Sequence, residues 1–96
     1  MIKVGIIGGA GYTAGELLRI LLNHPAAEIG FLQSTSNAGN LISDVHIDLL
    51  GESDLKFTDQ MPFDEVDVIF LCMGHGKSIE FVENNTLSNF NRITIN

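Results

Sequence analysis

Ninety-six residues allow one domain, because a second hydrophobic core would not fit in that length. An apolar share of 45% against 18% charged residues is a globular composition and excludes a disordered chain. The net charge of −7 comes from one window: eight of the twelve acids lie between Asp44 and Asp67, with Lys56 as the only base there. That window reads as a solvated face, and nowhere is there the basic stripe that nucleic-acid binding requires, so no nucleic-acid partner is expected. The apolar run Val68 to Met73 has six residues, against the roughly twenty that a bilayer demands, so no membrane span is expected. Four glycines, with Glu16 and Arg19, interrupt the N-terminal apolar stretch where a secretory signal would be continuous. One cysteine, Cys72, makes no internal disulfide, and a cytoplasmic protein is the expectation.

In chain order, Ile2 to Ile7 is a short β-branched run bounded by glycine, the pattern of a strand buried on both faces. From Tyr12 the period changes: Ala14, Leu17, Leu18, Leu21 and Leu22 form one helical stripe, with Glu16 expected in the first turn, where the helix dipole favours an anion. Asn23-His24-Pro25 ends that helix. A second strand is expected over Glu28 to Gln33, followed by a polar loop from Ser34 to Asn40. Leu41 to Leu50 is compatible with a short helix, Leu55 to Thr58 with a small strand and Val66 to Cys72 with a third buried strand. A turn at Gly74 and Gly76, a weaker helix over Lys77 to Phe90 and a strand beginning at Arg92 to Ile95 complete the pattern. Strand–helix–strand repeated in this way requires parallel pairing and crossovers. The expected fold class is therefore α/β, a Rossmann-type doubly wound parallel sheet. Because the last strand pattern reaches the end of the sequence, residues 1–96 are expected to be a truncated N-terminal dinucleotide-binding domain, with a catalytic and substrate domain absent.

The chemistry concentrates in Gly8-Gly9-Ala10-Gly11-Tyr12-Thr13-Ala14, placed after a buried strand and at the opening of an amphipathic helix. Both Gly9-x-Gly11-x-x-Ala14 and Gly8-x-x-Gly11-x-x-Ala14 fit a dinucleotide fingerprint. Gly11 lets the backbone approach a pyrophosphate, Ala14 allows close helix–strand packing, and the free N–H groups of the first turn face the phosphates. At the end of the second strand, Gln33-Ser34-Thr35-Ser36 carries no acid of the kind an NAD-selective site sets against the ribose 2′-hydroxyl. The hydroxyls of Ser34, Thr35 and Ser36 instead suit a 2′-phosphate, which favours NADP. Gly74-His75-Gly76 follows the next long strand and is expected to border the cofactor. The strand-end Cys72 is read as an inert hydrophobe, and Cys72, His75, His46 and His24 are too scattered for a four-ligand metal site.

Gly8-x-x-Gly11-Tyr12-Thr13-Ala14-Gly15-Glu16-Leu17, His24-Pro25, Ala38-Gly39, Leu41-Ile42-Ser43-Asp44-Val45-His46, and Asp67-Val68-Ile69-Phe70-Leu71 leading to Gly74-His75-Gly76 together resemble the N-terminal part of the N-acetyl-gamma-glutamyl-phosphate reductase family. The resemblance implies an NADPH-dependent reductive dephosphorylation in arginine biosynthesis. A cysteine attacks the acyl phosphate of an N-acylated glutamate, phosphate leaves, and hydride reduces the thioester to a semialdehyde. It also implies that the nucleophile lies in a downstream Gly-Cys-Tyr-Pro segment, so no catalytic residue is assigned here, and a homo-oligomer is expected of the full-length enzyme. Two alternatives remain at this point: aspartate-semialdehyde dehydrogenase, which shares the glycine loop, and a stand-alone dinucleotide-sensing module without chemistry.

Overall fold

The structure, a computed structural model, describes residues 1–49, 51, 53–73, 77, 80–81 and 93–95. Strand β1 (Ile2–Ile7) is followed by helix α1 (Tyr12–Leu22), strand β2 (Ala27–Gln33), three single 3-10 turns, strand β3 (Val68–Leu71) and strand β4 (Ile93–Ile95). All pairings are parallel and the order across the sheet is β2-β1-β3-β4. The chain therefore moves outward from β1 to β2 and then reverses to β3 and β4. This is the doubly wound arrangement expected, and its switch point lies between β1 and β3, where the carboxyl ends of the strands leave a crevice.

Both faces of β1 are apolar because both are covered. Val4 and Ile6 join Ala14, Leu18 and Leu21 of α1, together with Leu32, Ile42, Leu49 and Phe57, in one buried cluster. Ile7 turns the other way, into a second cluster with Phe31, Val66, Ile69 and Leu71. The predicted helical stripe holds, with Leu18 fully buried and Leu17 and Leu22 at the margin. Gly5 has its reason in packing: a Cβ there would lie 2.4 Å from the Phe31 ring.

Four expectations are corrected. The helix starts at Tyr12 and has no acid in its first turn, so Glu16 is one turn too deep to meet the dipole and instead pairs with Arg19 at 3.3 Å. The stretch Leu41 to Leu50 is not one helix but two 3-10 turns, Ile42–Asp44 and Ile47–Leu49. The Asp44 carboxylate accepts the Leu41 N–H at 3.1 Å, a capping bond that opens the first turn, and the buried His46 stands between the two turns. The predicted strand Leu55 to Thr58 forms only bridges, Lys56 with Leu41 and Thr58 with Gln33. β3 is shorter than Val66 to Cys72 because Val66 caps the 3-10 turn Phe63–Glu65. Even so, ladder bonds extend past both ends, from the Asp67 N–H to the Lys3 carbonyl and from the Cys72 N–H to the Ile7 carbonyl. Lys77, Glu80 and Phe81 are helical, as expected, and the rest of the predicted helix to Phe90 lies outside the described residues.

Candidate functional site: the glycine loop at the sheet's carboxyl edge

The loop from Gly8 to Gly11 leaves β1 at the switch point and is fastened on three sides. Toward β2, the Gly8 and Gly9 N–H groups donate to the Gln33 carbonyl at 3.1 and 2.7 Å, and Gly8 also donates to Gln33 Oε1 at 3.2 Å. Toward β3, Gly8 has φ +80° and a Cβ there would stand 3.1 Å from the Cys72 carbonyl oxygen. Toward the turns after β2, the Gly9 carbonyl is 2.8 Å from His46 Nε2. Gly9 itself is buried, with Leu32 only 2.5 Å from the position of an added Cβ. Glycine at 8 and 9 is thus demanded by the fold, whether or not anything binds.

Gly11 is different. Its φ of −79° and ψ of 168° are open to any residue, and the nearest atoms to an added Cβ are 3.9 Å away. It is the N-cap of α1, a position that favours Ser, Asp or Asn over Thr and Gly, and no side chain caps the helix. Neither packing nor backbone strain calls for glycine here. Its absence of a side chain leaves the exposed residues Tyr12 and Thr13 at the helix start uncovered, with the first intrahelical bond running from the Gly15 N–H to the Gly11 carbonyl at 3.1 Å. An oxyanion of a dinucleotide fits that cradle, since helix N-terminal amides supply donors and a positive dipole end.

The other predicted site residues are distributed as follows. Ala10 is half-buried, Gly11, Tyr12 and Thr13 are exposed, and Ala14 is fully buried against the sheet, the close-packing place expected of it. Ser34 is buried, its N–H donating to the Thr58 carbonyl at 2.9 Å, while Thr35 and Ser36 are exposed. Asn37 Nδ2 donates to the hydroxyls of Ser34 and Ser36, both at 3.4 Å. Gly74, His75 and Gly76 lie outside the described residues. Cys72 is half-buried, less enclosed than expected of a residue in a buried strand. Among the described residues no group of three or more His, Cys, Asp or Glu could hold a metal ion, and no helix is long and apolar enough to cross a membrane.

Three residues joined to this site escaped the sequence reading. Gln33 bridges its two parts: its Oε1 accepts from Gly8, and its Nε2 donates to Thr35 Oγ1 at 3.1 Å. Gly15 and His46 form a second link. His46 is buried, and a Cβ on Gly15 would come within 2.7 Å of its Nδ1. Both border a groove of about 380 Å³ that runs from Gly11 and Tyr12 along the outer side of α1 to Arg19 and Asp48. A polar residue directly after the buried pair Phe31-Leu32 was the available signal for Gln33; pairing of Gly15 with His46 across thirty-one positions had none.

A profile of the family described as semialdehyde dehydrogenase, NAD binding domain, matches residues 3–94. The chain is 62% identical over 87 residues to an N-acetyl-gamma-glutamyl-phosphate reductase of Bacteroides thetaiotaomicron, a match covering 91% of this chain and 27% of that protein. It is 52% identical over 93 residues to one of Flavobacterium johnsoniae, covering 97% of this chain and 28% of that protein. The chain thus spans little more than a quarter of the length of these curated relatives. Among solved structures, aspartate semialdehyde dehydrogenase with NADP from Candida albicans superposes with a TM-score of 0.76 at 20% identity, over 98% of this chain and 29% of that one, which establishes a shared fold. With the profile running through nearly its whole length, the chain belongs to the family of semialdehyde dehydrogenase NAD-binding domains.

Proposed function

We propose that this chain is the cofactor-binding part of an N-acetyl-gamma-glutamyl-phosphate reductase that uses NADPH, with the catalytic residues carried by a further domain. The observation that carries the reading is Gly11, a glycine that the fold does not require, set at an uncapped helix N-terminus on the carboxyl edge of the sheet. The identity of 62% to a reductase of that name supports the substrate, an acyl phosphate of an N-acylated glutamate.

In this reading the reduced nicotinamide supplies hydride to the acyl group once phosphate has left. The residues of this chain hold the other end of the dinucleotide. The Tyr12 and Thr13 amides receive the pyrophosphate, Ala14 packs the helix close to the sheet, and Gly11 keeps the approach open. Thr35 and Ser36, exposed where an NAD-selective site would set an acid, offer hydroxyls to a 2′-phosphate. Ser34 acts from behind them, through its tie to Thr58 and its place beside Asn37. Gly74, His75 and Gly76, following β3 in sequence, border the cofactor.

The test is a reductase assay on the full-length protein with N-acetyl-gamma-glutamyl phosphate and aspartyl phosphate offered in parallel, each with NADPH and NADH. Semialdehyde formation from the glutamyl substrate with a higher kcat/KM for NADPH is expected. Preferential turnover of aspartyl phosphate, or equal use of the two cofactors, overturns the corresponding half of the reading.

A further inference from the structure

His46 is buried and its ring bonds to the glycine loop, yet the proposed function leaves it without a part. From this contact we infer that His46 is a positioning residue of the dinucleotide cradle: through its bond to the Gly9 carbonyl it sets the loop from which the Gly11 approach and the α1 amides are presented. The inference rests on the dinucleotide-binding reading above and deepens it.

A carbonyl oxygen only accepts, so at 2.8 Å the hydrogen must be on His46 Nε2. Gly9 is then held through both of the peptide units that flank its Cα. Its N–H donates to Gln33 of β2 at 2.7 Å and its carbonyl accepts from His46, which belongs to the turns packed outside α1. Two residues later the chain is at Gly11, so a rotation of the Gly9–Ala10 peptide moves the cradle directly. The imidazole has little freedom to drift. Phe57 backs it with ring centroids 6.2 Å apart, and on the other side it lies against Gly15, where a Cβ would come 2.7 Å from Nδ1. The missing side chain at Gly15 is therefore what admits the ring, and the two residues act as one device. A leucine at 46 would fill much of the space but leave the buried Gly9 carbonyl without its partner, which the loop could relieve only by turning that carbonyl toward water.

The test uses the full-length protein and two readouts, NADPH affinity by fluorescence titration and the separation of KM from kcat. H46L is expected to raise the Kd for NADPH by about tenfold, the scale of one lost buried hydrogen bond, with KM for NADPH rising in step and kcat at saturation falling less. H46Q, which keeps an N–H donor at similar reach, is expected to recover most of the loss. G15A, by pushing the ring off Gly9, is expected to reproduce it. The G15A/H46L double variant is expected to lose no more than H46L, because both changes break one contact. A folded H46L with Kd within about twofold of the parent overturns the inference, since a residue that only stabilises the core would lower Tm and leave affinity alone. So does simple multiplication of the two single losses. Should H46L not fold, G15A decides by the same affinity criterion. A parent protein that binds no NADPH overturns the dinucleotide reading and this inference with it, whereas binding that ignores residues 15 and 46 overturns the inference alone.

Discussion

Glycines 8 and 11 are three positions apart and have opposite reasons for being glycine. At Gly8 the backbone is left-handed at φ +80° and the Cys72 carbonyl leaves no room, so Gly8→Ala is expected to cost about 1–3 kcal/mol of stability by denaturant unfolding. At Gly11 a side chain meets nothing closer than 3.9 Å, so Gly11→Val is expected to unfold within about 1 kcal/mol of the parent while NADPH affinity falls roughly tenfold or more. Unchanged affinity in a folded Gly11→Val protein would place the phosphate cradle elsewhere. The third residue-scale expectation concerns Ser36, exposed at the acid-free end of β2. Ser36→Asp puts a carboxylate beside the proposed 2′-phosphate and is expected to narrow or reverse the NADPH preference, read as the ratio of kcat/KM for the two cofactors.

At the scale of elements, α1 is held by its apolar stripe and not by its charges. Leu18 is fully buried between helix and sheet, so Leu18→Ala is expected to cost about 2–5 kcal/mol. Arg19 bridges Glu16 and Asp48, joining the helix to the 3-10 turn Ile47–Leu49, but all three side chains are about half exposed. Arg19→Ala is therefore expected to cost less than about 1 kcal/mol, a loss that added salt masks. Denaturant unfolding of both variants at two ionic strengths separates these contributions. The ranking bears on the proposed function, because the helix whose N-terminus is the proposed phosphate site is anchored by burial, which screening does not weaken. The turns after β2 depend on different forces. Local side-chain bonds such as Asp44 to Leu41, and the bridges of Lys56 and Thr58, carry His46 and Ser34 into place.

For the whole molecule, the sheet order places β1 at the switch point and leaves β3 and β4 to frame the other half of the crevice. The adenosine and pyrophosphate end of a dinucleotide needs little more than the glycine loop, α1 and the end of β2. Transfer to an acyl phosphate needs an aligned thiolate and a substrate pocket, which the proposed further domain supplies. These 96 residues by themselves are therefore expected to bind NADPH weakly and to turn nothing over. In the full-length protein Cys72→Ala is expected to keep its activity, because in the proposed function the nucleophile belongs to the further domain and Cys72 is a half-buried residue just past the end of β3. Semialdehyde formation measured on the chain alone, on the full-length protein and on its Cys72→Ala variant checks both statements. Turnover by the chain alone, or loss of activity in a folded Cys72→Ala protein, would return the chemistry to this domain.

The sequence by itself determined the strands of the parallel sheet, the helix α1 and the loop between them, because these depend on short-range patterns. A β-branched run bounded by glycine, a stripe of period 3.6 from Ala14 to Leu22 and small residues at 8, 9, 11 and 14 each carry their meaning within about ten positions. Tertiary structure decided the region from Leu41 to Thr58, where local periodicity suggested a helix and a strand but side-chain bonds and burial produced two 3-10 turns and two bridges. It also decided which glycines the fold requires and which it does not. That distinction depends on what an added Cβ would touch: Cys72 for Gly8, Leu32 for Gly9, His46 for Gly15 and open space for Gly11. Such contacts join residues dozens of positions apart, and only the folded chain brings them within a bond's reach.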